Sequence, residues 1–148
     1  MREYTSKSPE ETEAIGEALA ADLKPGTVVA FFGGMGMGKT VFTRGLARGL
    51  HATEAVSSPT FALVQEYGGN PPLVHFDMYR ISTWDDLYST GFFDYIDMGW
   101  ILAVEWSENI ENALPDGTIR VEIRKTEVDE NERIITIGEE NEYENSGD

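Results

Sequence analysis

The stretch Gly33-Gly34-Met35-Gly36-Met37-Gly38-Lys39-Thr40 satisfies GxxxxGK(S/T) and constrains the chain more than any other feature. Phosphate oxygens need many donors at close range. Only glycine lets a backbone turn tightly enough to aim successive N–H groups inward with no Cβ in the way. The same pattern supplies Lys39 for the β- and γ-phosphates and the Thr40 hydroxyl for Mg²⁺, at the positive start of a following helix. An incidental glycine-rich turn would not need flanking elements, but here both are present. Val28-Val29-Ala30-Phe31-Phe32 is a continuous apolar run, as a strand buried on both faces should be. After the motif, Val41, Phe42, Leu46 and Leu50 recur at helical spacing, with Arg44 and Arg48 on another face.

A chain of 148 residues suits one ordinary globular domain and is too short for two comfortable ones. It has no cysteine, so disulfides, thiolate metal sites and a cysteine nucleophile are excluded. Residues 1–7 lead into no signal-peptide core, and no apolar run approaches the roughly 20 residues that span a bilayer. This predicts a cytoplasmic protein without membrane contact. A net charge of −16 argues against a nucleic-acid binder, DNA included, since phosphate contacts depend on basic surface. From Glu127 onward there are nine acids against one base, Arg133, so half of the imbalance sits in the last segment. The core remains acidic without it.

Taken in order, Ser8-Pro9-Glu10-Glu11 has the features of a helix start: a serine cap, proline at the first position and an acid at the third. Ile15, Ala18, Leu19 and Leu23 would share its buried face, and Lys24-Pro25-Gly26 would end it. Such a helix is scaffold, although its start can lie near the base of a bound nucleotide. Val56-Ser57-Ser58-Pro59-Thr60 reads as a loop. Thr60 is either a γ-phosphate sensor of the switch type or a hydroxyl that satisfies a turn. Residues 61–67 look like a strand, and 68–72 like a turn into Leu73-Val74-His75-Phe76-Asp77. An aspartate closing an apolar strand is the Walker B pattern, in which the carboxylate holds Mg²⁺ directly or through water. His75 reads as packing or surface.

Residues 83–88 look like a short capped helix stopped near Gly91, and Phe92, Phe93, Tyr95 and Ile96 form an aromatic cluster, either core or docking surface. Trp100-Ile101-Leu102-Ala103-Val104-Glu105-Trp106 is a further buried strand ending in an acid. Ligands in open α/β sheets gather at the carboxyl ends of strands, so Asp77 and Glu105 should both approach the site entered by Lys39. Trp106 would be core or would cover that site. Ile119, Val121 and Ile123 alternate with Arg120, Glu122 and Arg124, and a turn through 129–132 leads to Arg133-Ile134-Ile135-Thr136-Ile137. The expected fold is α/β: a P-loop NTPase-like, mostly parallel sheet flanked by helices, with an antiparallel C-terminal hairpin at the edge. Residues 1–138 would form a single domain and 139–148 an acidic, disordered tail.

The ordered segments GGMGMGKTVFTRGLARGL, SSPTFALVQEY, LVHFDMYR and ILAVEW together resemble the bacterial TsaE (YjeE) family. These are P-loop ATPases needed to make N6-threonylcarbamoyladenosine in tRNA. The resemblance implies ATP and Mg²⁺ as ligands, with Gly33 and Gly36, Met37, Gly38, Lys39 and Thr40 as the phosphate cradle and Thr40 on the metal. It implies Thr60 as switch element, Asp77 as Walker B acid, Glu105 as second Mg²⁺-associated carboxylate and Trp106 close to the nucleotide. Thr12 and Arg133 match positions on the adenine side. The family loop usually reads Gly-Asp-Leu-Gly-Ala-Gly-Lys-Thr, from which Gly34 and Met37 depart. The implied partner is a TsaB–TsaD heterodimer that performs the transfer to adenosine, with tRNA met only indirectly. A P-loop alone also allows a small-molecule kinase, although no arginine-rich lid is evident, and a binding module that uses ATP only to set its shape.

Overall fold

In the computed structural model, residues 1–33, 38–54 and 64–139 are described. Among them, seven strands form one sheet: β1 (Arg2–Ser6), β2 (Val28–Phe32), β3 (Val64–Gly69), β4 (Pro72–Asp77), β5 (Ile101–Glu105), β6 (Ile119–Lys125) and β7 (Arg133–Glu139). Their spatial order is β1-β7-β6-β2-β5-β4-β3. The centre is parallel, with β2 pairing β5 and β6, and β5 pairing β4. The flanks are antiparallel, β3 on β4 at one side and β6, β7 and β1 at the other.

Every residue of β2 is buried, as its unbroken apolar run requires, because successive side chains enter opposite faces of the sheet. Val29 and Phe31 join Ile101, Ala103, Val121 and Ile123 beneath two helices, α1 (Pro9–Ala20) and α2 (Lys39–Gly49). Val28, Ala30 and Phe32 join Val74, Phe76, Leu102 and Val104 on the other face. That face is covered by α3 (Trp84–Ser89), α4 (Phe92–Asp97) and a 3₁₀ segment, Ser107–Ala113.

The start of α1 is capped as its sequence predicts. The Glu11 N–H donates to the Ser8 hydroxyl at 3.1 Å, and the Glu11 carboxylate accepts from the Lys7 N–H at 2.7 Å. The buried face differs from the predicted stripe: Ala18 is exposed, whereas Thr12, Gly16, Leu19 and Ala20 are buried. The reason is the approach of α2. A Cβ at Gly16 would strike the Phe42 carbonyl, and one at Gly45 the Glu13 carbonyl, so the two backbones meet where neither residue has a side chain. Arg48 of α2 closes the outside of this contact by pairing with Glu13 and, at 3.6 Å, with Glu17.

Two features of the sheet differ from the sequence expectation. The β6–β7 hairpin forms, but it is not the edge: β1 lies outside it, paired antiparallel to β7 from Arg2↔Ile137 to Ser6↔Arg133. A five-residue strand with one half-buried aromatic, Tyr4, has no apolar alternation to announce it and depends on the exposed backbone of β7. In addition, β7 continues to Glu139, opposite Ile119, beyond the Ile137 at which its apolar pattern ends. The aromatic cluster resolves mainly as core: Phe92 is fully buried, edge-on to Phe76 at 5.8 Å. Among the described residues no helix is long and apolar enough to cross a membrane.

Candidate functional site

The chain leaves β2 at Gly33 (φ +117°) and enters α2 through Gly38, which has φ +108° as the helix N-cap. Both conformations strain any residue with a Cβ. Gly38 offers no side-chain cap, the first turn of α2 holds no acid, and the first helical bond shown runs from the Phe42 N–H to the Gly38 carbonyl at 3.0 Å. Among the described residues, the start of this 11-residue helix thus has no side-chain cap and no built-in anion. Lys39 is only 6 % exposed, and its Nζ donates to the Gly33 carbonyl at 2.9 Å, folding back toward the end of β2. Thr40, half-buried, follows it in the first turn. Gly36 and Met37, predicted in the cradle, Gly34, and Thr60, the predicted switch, lie outside the described residues.

Asp77 and Glu105 close β4 and β5 and stand directly opposite one another in the parallel register. Strand alternation puts both on the face carrying Leu73, Ile101 and Ala103, which is the face covered by α2. Since β5 is hydrogen-bonded to β2 and β4 lies beyond it, Glu105 is on the strand next to the loop and Asp77 one strand farther out. One oxygen of Asp77 accepts from the Tyr79 N–H at 3.0 Å, closing the turn after β4.

The third member of this group is a residue that sequence reasoning assigned to packing or surface. His75 is fully buried, and its Nε2 lies 2.9 Å from Glu105 Oε2. The approach is close but poorly aligned for a hydrogen bond, and Nδ1 also has no hydrogen-bond partner. Burial pushes the Glu105 carboxyl up; the imidazole contact and charge of His75, then the charge of Lys39, outweigh it and hold the group below its usual value. The available signal was the period-two spacing of His75 and Asp77, which places both on one face. Its meaning depended on the β4–β5 register.

Trp106 has φ +59° and ψ +41°, a left-handed conformation costing a non-glycine residue about 1–2 kcal/mol. The surrounding bonds hold it there. The Met78 N–H donates to the Glu105 carbonyl at 3.0 Å, the Ser107 hydroxyl to the Val104 carbonyl at 3.0 Å, and the Asn109 N–H to the Trp106 carbonyl at 3.1 Å. The indole packs against the second core cluster and meets Tyr79 edge-on at 4.9 Å, with Lys39 Nζ 5.9 Å from its ring. It is therefore both a packing residue and a cover over the lysine.

Thr12 and Arg133 are brought together although 121 positions separate them in the chain. With Ser8, Pro9, Gly38 and Asn131 they line a cavity of about 220 Å³, so the cavity shares Gly38 with the end of the glycine loop. Thr12 is buried, its hydroxyl 2.7 Å from that of Ser6. The Arg133 guanidinium donates to the Glu130 and Glu132 carbonyls at 2.6 and 3.0 Å.

Mg²⁺ takes hard oxygen ligands and is usually held by one or two carboxylates plus phosphates and water, not by a full protein cage. Two adjacent carboxylates and a hydroxyl in the first turn of α2 are a donor set of that chemistry, whereas the described residues contain no cluster of three or more His, Cys, Asp or Glu that would hold a metal alone.

Comparison with known proteins places the whole chain beside a single family. The chain is 40 % identical over 134 residues to the "tRNA threonylcarbamoyladenosine biosynthesis protein TsaE" of Bacillus subtilis (strain 168), covering 90 % of this chain and 84 % of that one. It is 38 % identical over 140 residues to the protein of the same name from Aquifex aeolicus (strain VF5), covering 93 % and 96 %. The crystal structure of Bacillus YdiB superposes with a TM-score of 0.73 at 34 % identity, over 97 % of this chain and 88 % of that one. Residues 6–135, which span the glycine loop, both carboxylate-ended strands and the Thr12–Arg133 cavity, match the family described as "Threonylcarbamoyl adenosine biosynthesis protein TsaE", and the chain belongs to that family.

Proposed function

We propose that this chain is a Mg²⁺-dependent ATPase of low intrinsic rate that serves N6-threonylcarbamoyladenosine formation in tRNA by acting through a TsaB–TsaD complex. It does not perform the transfer itself. The observation that carries the reading is the pairing of Asp77 with Glu105 at the strand ends beside β2, on the face of α2. Lys39 exchanges the Gly33 carbonyl for phosphate oxygens, and the N–H groups of the loop and of the first α2 turn hold the remaining charge. Thr40, Asp77 and Glu105 would hold Mg²⁺, which when bound neutralises charge on the β- and γ-phosphates. Glu105 stays ionised near neutral pH and can orient the attacking water. Thr60 is assigned the γ-phosphate sensor, and the cavity between Thr12 and Arg133 the adenine side. Trp106 excludes water above Lys39.

The test is ATP turnover by the chain alone and with purified TsaB–TsaD, with and without tRNA. Stimulation by the complex alone supports the reading. Stimulation by a small hydroxylated metabolite, with its phosphorylation, overturns it.

A further inference from the structure

Between Arg80 and Arg120 the chain has no lysine or arginine over 39 residues and carries eight acids. This stretch builds one side of the molecule, from α3 through the 3₁₀ segment, where Arg120 pairs with Glu111 at 3.7 Å and the acids remain in excess. On it Trp84 and Tyr88 are 55 % and 61 % exposed, their rings 6.5 Å apart, and Tyr88 continues to the half-buried Phe93 at 4.9 Å. Beside Trp84 a cleft of about 310 Å³ lies between α3 and the 3₁₀ segment, lined by Ile81, Leu87, Ile110, Glu108 and Glu111. A single exposed aromatic needs no explanation. Two in contact, at a cleft with buried apolar walls, have the composition of an interface anchor.

We propose that this face docks a lysine- or arginine-bearing segment of a protein partner. The apolar stem of the basic side chain lies against Trp84 and its charge meets Glu108, a combination of cation–π and counter-charge contacts. The inference rests on the reading that the chain acts through a protein complex, and it names the surface for that contact. Charge selects the occupant. Nucleic acid and anionic lipid surfaces are repelled by a face on which acids outnumber bases. The chain's own residues 139–148 carry five acids and no base, and a second copy would set eight acids against eight.

The position also explains how docking reaches the nucleotide site. Asn109, in the wall of the cleft, donates through Nδ2 to the Met78 and Tyr79 carbonyls at 2.8 and 3.2 Å. These residues directly follow Asp77, and the 3₁₀ segment directly follows Glu105 and Trp106. A segment seated in the cleft therefore bears on the turns that position both carboxylates.

Trp84→Ala and the double variant Asp85→Lys/Glu108→Lys test the inference, each measured by calorimetric titration with purified TsaB–TsaD at two salt concentrations. Asp85 and Glu108 are exposed and, among the described residues, have no basic partner within ion-pair distance. Both variants are expected to weaken the complex about tenfold or more, the scale of an interface anchor. The charge variant is expected to reduce its salt dependence, with nucleotide affinity of the isolated chain unchanged. Wild-type affinity and salt dependence in both variants, with the wild type binding, overturn this surface and leave the functional reading standing. No binding by the wild type overturns both. Self-association of the wild type that Trp84→Ala abolishes makes a second copy the occupant and also overturns the proposal.

Discussion

The His75 imidazole approaches the Glu105 carboxylate to 2.9 Å from a position with no solvent exposure, inside the sheet that carries the candidate site. Its neighbour at i+2, Asp77, is paired in register with the same glutamate. One histidine thus contacts the Glu105 member of the carboxylate pair from within the fold.

Replacing His75 by leucine removes the contact and charge that lower the Glu105 carboxyl and leaves burial, which raises it. The acidic limb of the ATP-turnover profile should move to higher pH, and the Mg²⁺ concentration for half-maximal turnover should rise about tenfold or more. His75→Gln should restore part of the metal response. Unchanged Mg²⁺ dependence in His75→Leu would remove His75 from any supporting role.

The same lowering gives a stability prediction with a definite sign. A carboxyl whose folded value lies below its usual 4.5 contributes stability that is present above 4.5 and lost as pH falls through the folded value. In chemical denaturation the advantage of the wild type over Glu105→Gln should therefore be full at neutral pH and shrink on acidification below 4.5. An advantage that grew on acidification would contradict the assigned shift.

Trp106 lies 5.9 Å from Lys39 Nζ, so movement of the ammonium onto phosphate should change the indole's surroundings. Adding ATP with Mg²⁺ should alter tryptophan fluorescence in the wild type, and Trp106→Phe should lose that response while Trp84→Phe and Trp100→Phe keep it. A response that persists without Trp106 would place the nucleotide elsewhere.

The glycines at the α1–α2 crossing should be intolerant of any side chain. A Cβ at Gly45 meets the Glu13 backbone, which cannot rotate aside as a side-chain end can. Gly45→Ala should lose on the order of 3 kcal/mol in urea denaturation, the upper range for overpacking. By contrast, among the described residues a Cβ at Gly38 finds its nearest neighbour, Thr12 Cγ2, at 4.0 Å, so the positive φ is the cost this contact set gives Gly38→Ala, about 1–2 kcal/mol.

What could be read from the sequence was what is local. The start of α2 at Lys39, the fully apolar β2, the Ser8 cap and the acids that close β4 and β5 are each legible within a few residues. The parallel centre of the sheet followed from the alternation of strands with helices. The role of His75 did not, because its partner is 30 positions away and the contact exists only once β4 and β5 have paired. Strand β1 was missed because Arg2–Ser6 contains one half-buried aromatic and otherwise polar residues, and takes its conformation from the backbone of β7. The closeness of Thr12 to Arg133 has no local signature either; the family resemblance suggested it, and the fold brings the two to one cavity through α1 and β7.

The central claim is that phosphate chemistry at Lys39 drives a partner complex, and repeated rounds of tRNA modification measure it directly. With purified TsaB–TsaD, tRNA and ATP, the wild-type chain is predicted to sustain many modified tRNAs per complex, and Lys39→Ala at most about one, since its lost ammonium removes charge stabilisation worth orders of magnitude in rate. Equal multiple turnover by Lys39→Ala and the wild type would contradict the account.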